Sequence, residues 1–546
     1  MPRQRRKAGL NVAKQIVLLS GKIATGKSTL SSELARRFGT VTIKTNALLA
    51  KRAGKIAEER SAMQLFGEKL DRSTKGKWVV EDLARELSQL PEEAVIVIDS
   101  VRILNQIEAI RRAYDPRVVH IHLDANIDVL SSRYEDRKRL GAKLQELSSY
   151  TELSKNKTEA RVGDLAKVAD VVIKTDRSTP DGVVVRAAAQ LGLFGGESER
   201  LVDVLVGGQY GSEGKGHICS HIASEYGLLV RVGGPNAGHT VFESPKPYKH
   251  YQLPSGTRRC DANILIGPGA VLNVPKLLKE IAECEVSCER LSIDPQAMII
   301  ETRDKTLEQK TIVETIGSTG QGVGAATARK IMRGRGVRLA REIRELKPYM
   351  REAREVLDRF FRDGKRIFLE GTQGTGLSLH HGLYPHVTSR ETSVAGCLAD
   401  AGISPSRVRK VIICCRTYPI RVEDPKNATS GPMSLEISWA DVAKRSGIPI
   451  EELERNERTT TTDRRRRVSE FDWDLFQRAV TLNAPTDVAL TFADYITIKN
   501  RNANRFEQLS AETINFIEEL QCVASAPVSL ISARFDSRSI IDRRAW

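Results

Sequence analysis

"LVDVLVGGQYGSEGKGH" (residues 201–217) carries the clearest fold signal in the larger part of this chain. Its mostly apolar beginning predicts a buried strand, and the glycines after it predict a tight turn that opens a helix. Backbone N–H groups at such a turn can bind phosphate together with Lys215. Five residues separate Gly208 from Gly214, where the Walker A pattern has four, and neither Ser nor Thr follows Lys215. The loop therefore lacks the hydroxyl that holds Mg²⁺ in a Walker loop, and it belongs to a different family.

An earlier glycine loop, "GKIATGKST" (21–29), matches the Walker A spacing fully. It follows the apolar segment "QIVLLS" (15–20) and precedes the helical pattern "STLSSELARRF", which is the context that the motif requires. We expect Lys27 to reach the β- and γ-phosphate oxygens of ATP and Ser28 to ligate Mg²⁺. The predicted ATP-binding residues of this loop are Gly21, Gly26, Lys27, Ser28 and Thr29.

Two segments downstream complete a candidate phosphoryl-transfer site. The apolar strand in "AVIVIDSVR" (94–102) ends at Asp99, which could hold Mg²⁺ through water, and "SSRYEDRKR" (131–139) places Arg133 and Arg137 one helical turn apart. The order of segments over about residues 14–178 resembles the nucleoside monophosphate kinase group of P-loop proteins. The resemblance implies ATP-dependent phosphorylation of a small nucleotide. A degenerate or regulatory nucleotide-binding module is the alternative.

The length and composition set the broad class of the protein. A chain of 546 residues with 40% hydrophobic and 28% charged residues indicates a globular protein of two or more domains. Residues 1–13 form a basic tail. A Gly/Ser/Glu-rich break at 195–199 predicts a boundary between a P-loop domain over 14–195 and a second domain over 200–546.

The same composition limits the location and the partners. There is no apolar run of the roughly 18 residues that a membrane helix needs, no signal core and no CxxC pair, so we expect a cytoplasmic protein without membrane contact, disulfides or zinc. The net charge of +16 is concentrated near the N-terminus instead of forming a basic surface along the chain. Because a short basic tail is usually a solvated terminus, we do not expect nucleic-acid binding to be the main activity.

Several motifs of the second domain occur together and in one order. They are "GGQYGSEGKG" (207–216), "VGGPNAGHTVF" (232–242), "LPSG" (253–256), "IGSTGQGVG" (316–324), "LEGTQGTGLSLHHGLYPHVTS" (369–389), "TTTTDRRRR" (459–467) and "LISARFDSRSIIDRR" (530–544). Together they resemble the adenylosuccinate synthetase family. The resemblance implies an enzyme that phosphorylates O6 of a 6-oxopurine nucleotide and then lets the amine of L-aspartate displace that phosphate at C6. The expected fold class is α/β, with a parallel sheet in the P-loop domain and a mixed sheet with helices in the second domain.

The resemblance also assigns site residues. The catalytic group would be His239, Ser212, Lys215 and Gln373, and the purine nucleotide would be bound by Asn236, Thr319, Gln373, Thr388 and either Arg333 or Arg335. Aspartate would be bound by Thr461, Thr462, Arg464 and Arg466, and the phosphoryl donor by Gly211, Gly214, Lys215, Gly216, Asp494 and Ser532. The Gly238 carbonyl would face Mg²⁺, and the arginine of 333–335 would act across a homodimer.

The chain departs from the family at two places. Ser212 stands where the family has its catalytic aspartate, as in a shorter branch that acts on deoxyguanylate, and a serine leaves room beside the 2-amino group of guanine. Substrate, metal or the neighbouring Glu213 would then take the purine N1 proton. Phe492 replaces the lysine that lies over the donor base, while Asp494 is retained, so the donor is ATP or GTP.

Three functional hypotheses remain open on the sequence. The first is a bifunctional enzyme in which a nucleotide kinase is fused to a ligase that prefers dGMP or GMP. The second is an IMP-using adenylosuccinate synthetase with an accessory NTPase domain. The third is a non-catalytic purine nucleotide sensor in which both folds bind purines and regulate a partner. At Ser212 itself, an enzyme that has lost its activity is the alternative to changed specificity.

Overall fold

The computed structural model describes residues 13–54, 60–139, 150, 157–194, 199–242, 246–426, 428–459, 463–536 and 539–545. The chain divides into two compact units, Met1–Phe194 and Gly195–Trp546. Within the described ranges, no helix is both long and apolar enough to cross a membrane.

The first unit is a five-stranded sheet with helices around it. Its strands are β1 (Gln15–Ser20), β2 (Val41–Lys44), β3 (Val95–Asp99), β4 (Val118–Asp124) and β5 (Val171–Lys174). Its described α-helices are α1 (Lys27–Phe38), α2 (Thr45–Ala53), α3 (Arg60–Thr74), α4 (Trp78–Leu87), α5 (Leu104–Tyr114), α6 (Ile127–Arg139), α7 (Lys157–Val162) and α8 (Pro180–Gln190).

All strand pairs of this sheet are parallel, in the order β2-β3-β1-β4-β5. Strand β1 is central and almost fully buried, because parallel strands that are covered by helices on both faces must be apolar on both sides. The Walker loop therefore follows the central strand, and the end of β3 brings Asp99 beside it. The predicted strands at 15–20 and 94–102 are found there.

The second unit contains a larger sheet and three small ones. Its strands are β6 (Val202–Gly207), β7 (Leu228–Arg231), β8 (His239–Val241), β9 (Tyr248–His250), β10 (Asn263–Ile266), β11 (Val271–Leu272), β12 (Leu291–Ile293), β13 (Met298–Ile299), β14 (Ile367–Gly374), β15 (Val408–Arg416), β16 (Ile420–Val422), β17 (Glu436–Ile437), β18 (Arg466–Ser469), β19 (Asp487–Thr491), β20 (Val528–Ser532) and β21 (Ile540–Asp542). Its described α-helices are α9 (Lys215–Ile222), α10 (Val274–Glu283), α11 (Thr302–Thr311), α12 (Val313–Ile316), α13 (Val323–Ile331), α14 (Ala353–Arg362), α15 (Val394–Ala401), α16 (Trp439–Ser446), α17 (Ile450–Asn456), α18 (Trp473–Asn483) and α19 (Ala511–Ala524).

The main sheet of this unit has nine strands in the order β12-β10-β7-β14-β6-β15-β19-β20-β21. Its pairs are parallel except for β20 and β21, which are antiparallel, so the sheet is mixed as expected. Strand β6 is the middle strand of the nine, with β14 on one side and β15 on the other. Ligands of open α/β sheets bind at such a point, beyond the carboxyl ends of the strands. The loop 207–216 leaves the sheet there.

Candidate active sites

The glycine loop after β6 is organised around its own glutamate. Glu213 is fully buried, and its Oε1 accepts hydrogen bonds from the backbone N–H groups of Gln209 (3.1 Å) and Gly211 (2.8 Å). Its Oε2 lies 2.5 Å from the Nζ of Lys215. A side-chain carbon on Gly207 would lie 2.7 Å from both carboxylate oxygens, so this position requires glycine. Glu213 is therefore fully engaged within the loop, and the hypothesis that it accepts the purine proton has no support in this arrangement.

Ser212 occupies the exposed side of the same loop. Its backbone is left-handed, with φ 54°, and its Oγ accepts a hydrogen bond from Nη2 of Arg466 at 3.4 Å. Its backbone oxygen lies 3.4 Å from Nη1 of Arg416. Two arginines thus converge on the residue at the position where the resemblance predicts an aspartate.

His239, at the start of β8, is held by a buried carboxylate. Nδ1 of His239 lies 2.5 Å from Oε1 of Glu370. Glu370 also accepts hydrogen bonds from the N–H (2.7 Å) and Oγ (2.6 Å) of Ser255, and Nη1 of Arg231 lies 3.4 Å away. This contact fixes one ring nitrogen of the imidazole and leaves Nε2 for the cavity.

The electrostatics of this group favour a charged glutamate. Burial opposes ionisation of Glu370, but Arg231 and the hydrogen bonds from His239 and Ser255 lower its pKa to about 2. Burial, together with the charge of Arg231, lowers the pKa of His239. We therefore assign Nδ1–H of His239 as the donor to the charged carboxylate of Glu370.

A cavity of about 960 Å³ joins these groups. It brings together many of the residues predicted from the sequence: Gly211, Ser212, Gly214, Lys215, Gly216, Asn236, Gly238, His239, Thr319, Gln373, Thr388, Arg466, Asp494 and Ser532. On its purine side, Nε2 of Gln373 donates to Oγ1 of Thr388 at 2.6 Å. The buried Oδ1 of Asn236 has no hydrogen-bond partner, which is what a residue that awaits a ligand would show.

Another wall of the cavity carries a buried ion cluster that the sequence did not reveal. Glu457 accepts hydrogen bonds from Nη2 of Arg416 (2.7 Å), Nη1 of Arg466 (2.9 Å) and the hydroxyl of Tyr495 (2.8 Å). Burial would raise the pKa of Glu457, but the two arginines lower it to about 2. The guanidinium of Arg416 lies over the ring of Phe492, 4.0 Å from its centroid.

At the end of the cavity predicted to bind the donor base, Asp494 is not free. Its Oδ2 accepts from Nε of Arg501 at 3.0 Å, and Nη2 of Arg501 also bonds to Oε1 of Glu452 at 2.7 Å. Burial raises the pKa of Asp494 to about 6, although Arg501 opposes this change. Ser532 Oγ, on the neighbouring strand β20, donates to the backbone oxygen of Arg534 at 3.1 Å.

Five predicted residues lie away from this cavity or outside the described residues. Thr461 and Thr462 belong to the residues that the structure does not describe. Among the described residues, Arg464, Arg333 and Arg335 do not line the cavity, and the last two are exposed. Their roles stay predictions.

The first unit places its predicted ATP site around the Walker loop. Nζ of Lys27 donates to the backbone oxygens of Gly21 (2.7 Å) and Lys22 (2.8 Å), and Ser28 Oγ donates to Oδ2 of Asp99 at 3.0 Å. Gly26 precedes α1 with φ 92°, a left-handed conformation that favours glycine. Burial, reinforced by Arg102, lowers the pKa of Lys27 to about 8.

The remaining predicted residues of this unit have different surroundings. Arg133 donates to Oγ1 and to the backbone oxygen of Thr175, both at 2.9 Å, so in this arrangement it anchors the end of β5. Arg137 lies one turn further along α6 and is exposed, as is Thr29. Glu159 was not predicted from the sequence. Its carboxylate accepts hydrogen bonds from Nη1 of Arg102 (3.0 Å) and from the backbone N–H of Ile23 in the loop (3.3 Å).

The oxygen donors fit Mg²⁺ differently in the two units. In the first, the Ser28 hydroxyl and the Asp99 carboxylate are adjacent hard ligands. In the second, Gly238 lines the cavity, Ser212 offers no carboxylate and Glu213 is engaged. Within the described ranges there is no cluster of three or more His, Cys, Asp or Glu residues suited to a metal. Both sites fit an ion that keeps most of its ligands from water and substrate phosphates.

Comparison with known proteins decides the family. Residues 204–345 and 339–501 match the family Adenylosuccinate synthetase, and residues 17–161 match the family AAA domain. The chain belongs to the adenylosuccinate synthetase family. The adenylosuccinate synthetase of Thermococcus onnurineus is 35% identical over 349 residues, 62% of this chain and 98% of the relative. That of Methanocaldococcus jannaschii is 36% identical over 62% of this chain and 96% of the relative.

Two solved structures agree with this assignment. Succinoaminodeoxyadenylate synthetase (PurZ) of cyanophage S-2L, bound to dGMP and to dATP as an energy donor, is 27% identical, with a TM-score of 0.53 over 64% of this chain and 96% of that chain. The fully ligated adenylosuccinate synthetase of Plasmodium falciparum is 20% identical, with a TM-score of 0.56 over 63% of this chain and 100% of that chain, which shows the fold. The second unit is an adenylosuccinate synthetase-like ligase, and the first is a P-loop unit that matches the AAA domain family.

Proposed function

We propose that the second unit joins L-aspartate to C6 of a guanine nucleotide, with dGMP or GMP preferred to IMP, through a 6-phosphoryl intermediate. The observation that carries this proposal is Ser212 at the mouth of the glycine loop, where a short side chain lines the cavity beside Arg466. A guanine ring carries a 2-amino group next to N1, and serine can accept a hydrogen bond from either group without crowding the ring. The dGMP in the S-2L phage relative supports the same reading.

The residues divide the chemistry among them. Asn236, Gln373 and Thr388 hold the purine nucleotide, while Lys215 and the loop N–H groups hold the transferring phosphoryl group. His239 presents Nε2 to the oxygen on which negative charge develops. An anion at that atom favours the protonated imidazole, since Glu370 stabilises the charge from the other side. Mg²⁺, when bound, would neutralise phosphate charge beside Gly238.

The second step needs aspartate held with its amine near C6. Arg466 can bind a carboxylate through its planar donors, and Arg464, Thr461 and Thr462 complete the proposed aspartate loop. The cavity wall around Arg466 is rigid, because Glu457 holds this arginine from behind. Binding the amine next to an activated C6 turns a bimolecular displacement into an intramolecular one.

For the donor we propose ATP in preference to GTP. Guanine offers two adjacent donors, N1–H and the 2-amino group, and is best bound by a carboxylate with both oxygens free. Oδ2 of Asp494 is already used by Arg501. A carboxylate that is already paired in this way is less suited to the two donors of guanine, which favours adenine as the base of the donor. Phe492 supplies an aromatic surface nearby, and the S-2L relative binds dATP as its energy donor.

We also propose that the first unit is an active nucleotide kinase that uses Mg²⁺ and ATP. The adjacent Ser28 and Asp99 support metal binding, and Lys27 lies in the loop that would receive the phosphates. Fusion of the two activities favours an acceptor that is the substrate or the product of the ligase, because linkage raises the local concentration.

The ligase is proposed to act as a homodimer. Arg333 is exposed beside the apolar side chains of Ile331 (68% exposed) and Met332 (78% exposed), a combination typical of a surface that a partner covers. One of Arg333 and Arg335 would then reach the nucleotide phosphate in the partner's cavity. A monomer that retains full ligase activity in size-exclusion and kinetic measurements would contradict this proposal.

One set of assays tests the ligase proposal. The full-length protein is incubated with aspartate, with ATP or GTP, and with dGMP, GMP or IMP, and succinyl-nucleotide formation is followed by chromatography. We expect turnover of dGMP or GMP with ATP. Turnover of IMP alone would identify an ordinary adenylosuccinate synthetase, and binding of purines without turnover of any would identify a sensor.

A further inference from the structure

A single buried carboxylate connects three walls of the ligase cavity. The side chain of Glu457 is 1% exposed and accepts hydrogen bonds from Arg416, Arg466 and Tyr495 at 2.7, 2.9 and 2.8 Å. A buried carboxylate with this many charged and hydroxyl donors has one well-defined orientation. It can therefore hold the groups around it at fixed positions.

Each of the two arginines also contacts other residues of the cavity wall. Arg416, whose side chain is fully buried, covers the ring of Phe492 and reaches the backbone oxygen of Ser212. Arg466 reaches the hydroxyl of the same serine. Glu457 thus joins the aromatic surface of the donor side, the glycine loop and the arginine tract through direct contacts.

Arg466 is held at one guanidinium nitrogen by Glu457. Nη1 is held by Glu457, Nη2 faces Ser212, and the buried Nε has no hydrogen-bond partner. A guanidinium fixed at one nitrogen keeps its remaining N–H groups in a constant direction. An unpartnered buried N–H beside a cavity is a group that a ligand oxygen would satisfy.

We propose that Glu457 is a positioning residue for aspartate: it orients Arg466 so that the free N–H groups of this arginine meet the carboxylate of the amino acid. Through Arg416 it also ties this orientation to Phe492, so the donor side and the aspartate side are held by one group. This inference rests on the proposed ligase function.

The test is Glu457→Gln in the full-length protein, which keeps the size of the side chain and removes its charge. We expect KM for aspartate to rise about 10–100-fold, the usual effect of losing a group that orients a binding residue. KM for the purine nucleotide should rise less than KM for aspartate, since Glu457 reaches the purine side only indirectly, through the contacts of Arg416 and Arg466 with Ser212. A merely structural role would lower stability and kcat without this selectivity.

The matched control is Glu436→Gln. Glu436 pairs with Arg467, the neighbour of Arg466 in the same tract, but neither lines the cavity. We expect aspartate KM of this variant to stay within about twofold of wild type, because the broken ion pair is on the other face of the strand.

A second variant covers the case in which Glu457→Gln does not fold. Glu457→Gln takes the carboxylate from both Arg416 and Arg466, and Glu457→Gln/Arg416→Met removes the charge of Arg416, the more deeply buried of the two, so this protein is expected to fold. Aspartate KM should remain raised because Arg466 still lacks its anchor. Wild-type aspartate KM in either folded variant, or an equal rise for aspartate and purine nucleotide, overturns the inference while the ligase activity stands. A wild-type protein without ligase activity on any purine nucleotide overturns both proposals.

Discussion

Replacing Ser212 with aspartate restores the residue type of the family at the point where this chain departs from it. The backbone can accept the change, because Asp is among the residues that tolerate the left-handed conformation seen at φ 54°. The longer carboxylate would meet Arg466, which already reaches the serine hydroxyl at 3.4 Å. It would therefore sit in the space that we assign to the 2-amino group of guanine.

The size of the effect follows from that placement. Crowding a buried amine and leaving its hydrogen bonds unmade costs about 1–3 kcal/mol, which is a change in selectivity of roughly 5–150-fold. IMP has no 2-amino group and does not incur this cost, and it gains a base for N1. We therefore expect the ratio of kcat/KM for dGMP to that for IMP to fall by this factor in Ser212→Asp.

The assay measures kcat/KM for dGMP and IMP at saturating aspartate and ATP in wild type and in three variants. Ser212→Asn has the length of aspartate without its charge and isolates crowding, while Ser212→Ala removes the hydroxyl without adding bulk. If crowding is the cause, Asp and Asn should both reduce the use of dGMP. An unchanged dGMP/IMP ratio in Ser212→Asp would rule out Ser212 as the group that accommodates the 2-amino group, and an equal gain for both purines would indicate lost catalysis instead of changed specificity.

Further predictions concern the other groups of the two sites. Glu370→Gln should lower kcat about 10²–10³-fold, because His239 would lose the charge that stabilises its protonated form. Purine binding, measured by calorimetry, should change little. A kcat within about threefold of wild type would contradict this role. The lowered pKa of Glu370, about 2 against an ordinary value near 4.3, contributes stability above pH 4.3 that is lost as pH falls toward 2, so urea midpoints of wild type and Glu370→Gln should converge over that interval. Arg501→Gln should raise the use of GTP relative to ATP, since it frees Oδ2 of Asp494, and an unchanged ratio of kcat/KM would exclude this pair as the selector. Lys27→Ala should abolish phosphotransfer by the first unit and leave ligase turnover intact, and a parallel loss of both activities would show that the sites are not separable.

The sequence predicted the elements that depend on local pattern. Strands β1, β3 and β6 lie where apolar runs indicated them, and both glycine loops follow buried strands as predicted. Many of the residues chosen by resemblance line one cavity. These successes rest on short-range signals: a run of apolar residues, a glycine that permits a turn, and a motif order.

The groups that orient the site were not predictable in the same way. Glu370 meets His239 across 131 positions of sequence, and Glu457 meets Arg416 across 41. Which carboxylate pairs with which cation depends on the order of strands in the sheet, and that order is not written in any local pattern. One signal was available: a charged residue inside an apolar strand, as in "IFLEG", has to find a buried partner.

The two glycine loops of this chain differ in the side chain that contacts the loop from within. In the first, Lys27 is folded back onto backbone oxygens of its own loop, and binding phosphate must replace those contacts. In the second, Glu213 fills the inside of the loop with a carboxylate and holds Lys215 at 2.5 Å. The second loop is therefore held by a carboxylate of its own, while in the first the lysine itself makes the contacts with the loop backbone. A loop with an internal anchor suits a site where a phosphoryl group, a purine and aspartate must be aligned together, since little reorganisation remains to be done during the reaction.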